Sequence, residues 1–89
     1  MSNIIAIFIK FLFVGNCGVE TNSHFQQFET LFSKYGKIID ILMPQKRPYI
    51  FIIYEDENST QLAINDLQMK KITIEQKPFF FYLFPVNTG

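Results

Sequence analysis

Aromatic side chains at alternate positions are the residues of this sequence best suited to ligand chemistry. Phe13 lies in one short segment of β-forming residues, and Tyr49 and Phe51 lie in another. Successive side chains of a strand point to opposite faces, so Tyr49 and Phe51 share a face. If the two segments are neighbouring strands, the three rings form one exposed cluster, which usually marks a binding site. Flat rings can stack on unpaired nucleobases, at about 1–3 kcal/mol per base.

The polar residues that could catalyse a reaction or hold a metal ion lack partners in the sequence. Cys17 is the only cysteine and His24 the only histidine, which argues against a disulfide framework and a Cys/His zinc site. Glu55, Asp56 and Glu57 are consecutive, so they do not face one another, and acid at a helix start explains them more simply. We therefore expect no catalytic residue, no metal and no cofactor. Cys17 is expected to be structural and His24 solvated.

Composition limits the fold and the partners. The chain has 89 residues, the size of one domain, and 48% are hydrophobic, which is too apolar for intrinsic disorder. Eight Lys and Arg residues balance eight Asp and Glu residues, so the net charge is zero. A polybasic phosphate binder draws its affinity from many cations, and this balance argues against one.

The amino-terminal segment is very apolar but short. Residues 4–14 contain Lys10, whereas a membrane-spanning helix needs about 20 apolar residues, so a buried strand with an apolar lead-in is the better interpretation. No cleaved leader is expected, because residues 1–3 carry no basic side chain. We expect a cytoplasmic or nuclear monomer. Its organisation is predicted as one domain over 1–89, with a core at about 11–84, a lead-in at 1–9 and a tail at 85–89.

A helix is predicted over about residues 24–35. Its apolar residues are spaced by 3, 3, 1 and 3 positions, which places them on one helical face: Phe25, Phe28, Leu31, Phe32 and Tyr35. Ser23 and Gln26 have the spacing of a capping box, and Gly36 follows as a residue that can take a positive φ.

Strands and a second helix follow. Residues 38–43 and 49–54 are predicted strands, separated by a short connection that has a proline at each end. A helix after residues 55–57, a short strand or loop at 72–76 and a last strand at 79–84 complete the chain. The order β-α-β-β-α-β is the split βαβ, or ferredoxin-like, plan. This α+β sandwich has a four-stranded antiparallel sheet with two helices on one face and the other face open.

Strand alternation assigns side chains to the two faces of the sheet. The helices need an aliphatic surface, so the aliphatic set is predicted to point inward: Leu12, Val14, Ile50 and Ile52. Phe13, Tyr49 and Phe51 are then left on the open face, and Leu42 joins them by its parity with Asp40. In the last strand Phe79, Phe81 and Leu83 are candidates to extend the open face, and the sequence leaves the alternation of this strand open.

Residues 12–17, Leu-Phe-Val-Gly-Asn-Cys, and residues 47–54, Arg-Pro-Tyr-Ile-Phe-Ile-Ile-Tyr, are similar to two strand motifs of a known family. The first matches five of six positions, and the second keeps the basic residue, three aromatics and an aliphatic. With these motifs, about residues 11–84 resemble the RNA recognition motif family. Pro48 stands where the family has glycine, and Ile50 where it has a small residue.

This resemblance implies that single-stranded RNA binds across the open face of the sheet. Aromatic side chains of the family stack two or three bases, and by position this role passes to Phe13, Tyr49 and Phe51. Arg47 takes the contact to the RNA backbone or a phosphate. The further expected RNA contacts are Asn16, Leu42 and Lys46.

A narrower resemblance rests on residues 42–51, Leu-Met-Pro-Gln-Lys-Arg-Pro-Tyr-Ile-Phe, with Asn16 and Gly18 upstream and 76–77 downstream. This run is similar to the RNA recognition motif of the AlkB-homologue tRNA wobble-uridine methyltransferases. There the motif precedes an oxygenase domain and a methyltransferase domain. The resemblance implies a non-catalytic accessory domain that helps to hold tRNA, with the anticodon loop and adjacent catalytic domains as expected partners.

Two alternatives use the same fold differently. A protein-interaction module would hold a partner peptide on its sheet or helix face, and the neutral charge, the missing glycine, Leu42 and Ile53 favour it. An acylphosphatase-like enzyme would need an anion cradle of arginine and backbone amides. The single arginine, Arg47, lies between two prolines and does not favour such a cradle.

Overall fold

A four-stranded antiparallel sheet with two helices organises residues 11–86, which are the residues that the computed structural model describes. The sheet order is β2-β3-β1-β6, from β2 (Ile38–Leu42), β3 (Tyr49–Tyr54), β1 (Phe11–Gly15) and β6 (Tyr82–Val86). The helices are α1 (Phe25–Ser33) and α2 (Glu57–Leu67). The predicted α+β, ferredoxin-like plan is therefore confirmed.

A two-stranded hairpin precedes the last strand of the sheet. It consists of β4 (Lys71–Ile74) and β5 (Lys77–Phe80), in the region predicted as a short strand or loop. The predicted last strand at 79–84 is therefore divided between β5 and β6, and β6 extends into the segment predicted as a tail. The lead-in at 1–9, Lys10 and residues 87–89 lie outside the described residues.

One buried cluster joins the sheet to both helices. Leu12, Val14, Ile50 and Ile52 are fully buried, as strand alternation predicted. They share the core with residues of the helices and of the last strands: Phe28, Phe32, Ala63, Leu67, Phe81 and Leu83. Neither helix is long and apolar enough to cross a membrane.

The structure decides the faces of the last strand against two of the open-face candidates. Phe81 and Leu83 are buried, whereas Tyr82 and Phe84 are exposed. The pairing with β1 gives the reason, because Leu83 lies opposite the inward-facing Val14. Side chains opposite one another in an antiparallel pair share a face of the sheet.

The first helix begins differently from the prediction. A 3₁₀ turn (Thr21–His24) precedes α1, and no side chain caps either of them, so the capping box at Ser23 does not form. His24 is buried rather than solvated, and its ring lies edge-on to Phe28 and Phe79. The extra turn, with three residues per turn, directs His24 into the protein. The helix also ends at Ser33, two residues before the predicted end.

The second helix has the acidic start that the sequence indicated. Asp56 is its N-cap and accepts a hydrogen bond from the Asn58 N–H at 3.0 Å, while Glu57 lies in the first turn. Gly36 approaches this helix closely at a φ of +154°, and a Cβ there would collide with the Ser59 side chain. The turn between α1 and β2 therefore requires glycine.

Side chains form hydrogen bonds with backbone groups of both outer strands of the sheet. On β6, the Gln68 amide donates to the Leu83 carbonyl and accepts from the Leu83 N–H at 2.9 Å. On β2, the Asp40 carboxylate accepts from the Ile41 N–H at 2.8 Å. Unpaired edge groups are templates for adding another strand, and these contacts reduce the number available.

Candidate nucleic-acid interface

Pairing of β1 with β3 brings together the three rings that the sequence singled out. Phe13 lies opposite Phe51, and Gly15 lies opposite Tyr49. The Phe13 ring centroid is 5.6 Å from that of Tyr49, with the planes inclined by 29°, and 5.6 Å from that of Phe51. Tyr49 and Phe51 are 5.8 Å apart. All three are half-buried, so their ring surfaces are partly open to a ligand.

The last strand adds two more rings that the sequence analysis missed. Phe84 lies opposite Phe13, and their centroids are 4.7 Å apart. Tyr82 lies 5.7 Å from Phe84 and is 59% exposed. The sequence signal that could have predicted these two rings is Leu83. It is aliphatic and flanked by aromatics, a pattern that indicates an inward side chain between two outward ones. We call the five rings the aromatic platform: Phe13, Tyr49, Phe51, Tyr82 and Phe84.

Gly15 allows the Phe13 ring to lie where it does. Gly15 is the partner of Tyr49 on one side and Tyr82 on the other. A Cβ at this glycine would lie 2.8 Å from Cε2 of Phe13, a distance that real Cβ atoms essentially never show. The absent side chain thus gives the Phe13 ring room beside Tyr49.

Charge is nearly absent from the open face. By strand alternation, the outward positions of the four strands are Phe11, Phe13, Gly15, Asp40, Leu42, Tyr49, Phe51, Ile53, Tyr82, Phe84 and Val86. Among these, Asp40 is the one charged residue. The face is therefore suited to stacking and apolar contact rather than to binding many phosphates.

Two cations lie at one end of the platform. Lys46 and Arg47 are exposed in the connection between β2 and β3, three and two residues before Tyr49. Lys46 has a φ of 56°, and the end of the connection is tied to the loop after β1, because the Cys17 N–H donates to the Pro48 carbonyl at 2.9 Å. The hydrogen bond thus fixes the backbone of the connection at Pro48, one residue after Arg47.

Comparison with known proteins identifies the family of this arrangement. The family model described as RNA recognition motif matches residues 12–76. The chain belongs to the RNA recognition motif family. Among solved structures, the third RNA recognition motif of Mip6 superposes with a TM-score of 0.71 at 18% identity, covering 91% of this chain and 96% of that one. No curated protein matches the chain.

RNA recognition motifs are typically non-catalytic RNA-binding modules. The other residues expected to contact RNA lie on β2 and in the loops. Leu42 lies opposite Phe51 and is 42% exposed. Asn16 has a φ of 67°, and its amide donates to the Phe80 carbonyl at 2.9 Å. This contact joins the loop after β1 to the hairpin. The RNA contacts of Asn16, Leu42, Lys46 and Arg47 stay predictions.

Cys17, in the loop after β1, points into the core. It is 1% exposed, its Sγ donates to the Val14 carbonyl at 3.2 Å, and burial raises the pKa of the thiol to about 12. A thiol held protonated is a poor nucleophile. Within residues 11–86, no three His, Cys, Asp or Glu side chains are grouped to hold a metal ion.

Proposed function

We propose that this RNA recognition motif binds single-stranded RNA by stacking unpaired bases on the aromatic platform. The observation that carries the proposal is the set of five neighbouring rings on one sheet face, each half-buried or exposed among residues 11–86, with centroids 4.7–5.8 Å apart between neighbours. Stacking tolerates different bases, because every base has a π-face. Phe13, Tyr49 and Phe51 are the central stacking residues of this proposal, and Phe84 extends the surface.

Affinity for RNA is expected to be low for the isolated domain. The chain has no net charge, and the open face carries no cation among residues 11–86, so long-range attraction of phosphates is weak. We expect Arg47 and Lys46, which precede β3 in the chain, to contact one or two phosphates. Binding energy would then come mainly from the rings.

The finer proposal is an accessory domain of an AlkB-homologue tRNA-modifying enzyme. It is supported by the run over residues 42–51, which includes Leu42, Arg47, Tyr49 and Phe51. An anticodon loop supplies unpaired bases for the platform. Tethering to catalytic domains would raise a weak affinity through effective concentration.

A titration monitored by backbone amide NMR shifts tests both the RNA-binding proposal and the finer tRNA proposal. The probes are a short unstructured RNA and a tRNA anticodon stem-loop, added to the wild type and to a Tyr49→Ala/Phe51→Ala variant. We expect shifts along β1 and β3 that the double substitution abolishes, and the stem-loop should bind more tightly than the short RNA. Phe25→Ala is the control, because Phe25 is 41% exposed but lies on α1.

A protein-interaction role is the second candidate, and the apolar character of the open face favours it. The dependence of affinity on salt distinguishes RNA binding from peptide binding. RNA binding weakens as salt rises in proportion to the phosphates contacted, whereas docking of an apolar peptide changes little. Absence of shifts at millimolar RNA would contradict the RNA proposal and favour the peptide.

A further inference from the structure

Asp40 stands out on the open face because it is the one charge there within residues 11–86. It lies on β2 opposite Ile53, and Leu42, two residues further on, lies opposite Phe51. Residues diagonal to one another across an antiparallel pair are about 7–8 Å apart. The Asp40 carboxylate is therefore within reach of the edge of a base that stacks on Phe51 and contacts Leu42.

One oxygen of this carboxylate is hydrogen-bonded to its own strand. Oδ1 accepts the Ile41 N–H at 2.8 Å, which leaves Oδ2 and the remaining lone pairs for other donors. Within residues 11–86, Lys70 pairs with Asp66 and His24 Nδ1 lies 3.5 Å from the Glu75 carboxylate, and neither contact involves Asp40. A ligand that supplies hydrogen-bond donors would thus meet an acceptor already held in place.

An ionised carboxylate only accepts hydrogen bonds, so it distinguishes bases by their donors. Guanine presents N1–H and N2–H side by side and can donate to both oxygens. Cytosine and adenine present one amino group beside a ring acceptor, and uracil presents N3–H between two carbonyls. Proteins read unpaired bases by these edges, and a good bidentate pair is worth about 1–3 kcal/mol of discrimination, or about 5- to 150-fold.

We propose that Asp40 is a specificity-determining residue that selects guanine for the base position between Phe51 and Leu42. The inference rests on the proposed RNA binding and names the base that this binding prefers. Leu42 and Phe51 supply contact to the base plane, and Asp40 supplies the acceptors for its Watson–Crick edge. Uracil is the base most disfavoured, because its carbonyls face the carboxylate.

Pentanucleotide RNAs that differ at one position test this assignment. The probes are UUGUU, UUCUU, UUAUU and UUUUU, titrated into the wild type, Asp40→Ala and Asp40→Asn with amide shifts as the readout. We expect the wild type to bind UUGUU about tenfold more tightly than UUUUU. Asp40→Ala should bring this ratio close to one, by weakening UUGUU and strengthening UUUUU. Asp40→Asn keeps an acceptor for Ile41 but replaces one oxygen by a donor, and should also lose the preference.

Glu29→Gln is the matched control, because Glu29 is an exposed carboxylate on α1 and its change alters the net charge equally. This variant should strengthen the binding of UUGUU and of UUUUU to the same small extent, and the ratio of the two affinities should stay as in the wild type. A wild-type ratio near one, or an Asp40→Ala variant that changes both RNAs equally, overturns the assignment of Asp40 while RNA binding stands. Failure of all four RNAs to shift any platform amide overturns the RNA binding itself, and the selection of guanine with it.

Discussion

The two faces of the central strands share one backbone and carry different kinds of side chain. Toward the helices, β1 and β3 present Leu12, Val14, Ile50 and Ile52, each with no exposed surface. Toward the open side the same strands present Phe13, Tyr49 and Phe51, which remain half-buried. Aliphatic side chains fill the irregular space beneath helices, whereas flat rings leave a surface on which another flat group can lie.

The difference separates what folds the domain from what it offers to a partner. Burial of a large aliphatic side chain stabilises by about 1.5–3 kcal/mol, and most of that gain here lies on the helix side. Rings on the open face gain part of this energy from one another. Their remaining exposed surface is stabilised only when a ligand covers it.

Ile52→Ala and Phe51→Ala give the largest expected contrast between the faces. Removal of the fully buried Ile52 side chain should lower the free energy of unfolding by about 2–5 kcal/mol, because a cavity forms in the core. Phe51→Ala should cost clearly less, because no core volume is emptied. Urea unfolding of both variants measures the contrast. Equal losses would show that the open face is part of the folding core.

Phe84→Ala tests how far the binding face extends toward β6. Loss of one stacking ring should weaken binding of a short single-stranded RNA by about 1–3 kcal/mol, as measured by titration. Phe25→Ala is well matched, because Phe84 is 39% exposed and Phe25 41% exposed, and it should leave affinity unchanged. A similar loss of affinity in both variants would contradict a role specific to the platform.

The sequence predicted the faces of β1 and β3 because their alternation is regular and the inward set is uniformly aliphatic. It failed for the last strand, where four aromatics follow one another at 79–82 and hydrophobicity carries no alternation. The pairing of β6 with β1 decides which side chains point inward there, because Leu83 lies opposite Val14. The prediction of a solvated His24 at the start of an α-helix also failed, because a 3₁₀ turn and an α-helical turn place successive side chains at different angles.

The part of the site that strand patterns could not provide is its contact with loops. Asn16 has the residue type of a ligand contact, yet its amide donates to Phe80, far away in the sequence. Such a contact depends on the path of the β4–β5 hairpin, which no local periodicity determines. The motifs at residues 12–17 and 47–54 predicted the three central rings, whereas the tertiary structure determines which residues surround them.

Tyr54 offers an inward counterpart to the open-face rings of the same strand. Its hydroxyl donates to the Phe32 carbonyl at 2.6 Å, so Tyr54→Phe should lower the free energy of unfolding by about 1 kcal/mol at neutral pH. Burial raises the pKa of Tyr54 above its ordinary value. An unfolded tyrosine loses its proton near pH 10, so the wild type should lose stability as pH rises above about 10.

Urea unfolding between pH 8 and 11 measures this alkaline loss. Tyr54→Phe lacks the ionising group and should show a smaller decrease. A residual decrease is expected in both proteins, because burial raises the pKa of Cys17 to about 12, and Tyr35, whose pKa is raised to about 12 by burial and by Asp66, adds to it. Parallel profiles for the two proteins would show that Tyr54 does not titrate on unfolding.

Arg47→Ala has the smallest expected effect, because the open face presents rings rather than cations. A phosphate contact should weaken binding of every short RNA alike and reduce the slope of log affinity against log salt by about 0.7. Lys71→Ala removes the same charge from an exposed position on the hairpin and should leave the slope unchanged. A change that depends on base sequence would instead make Arg47 a reader of bases. Equal slope changes in both variants would show that Arg47 acts only through the net charge of the domain. The position of the RNA would then be determined by the rings.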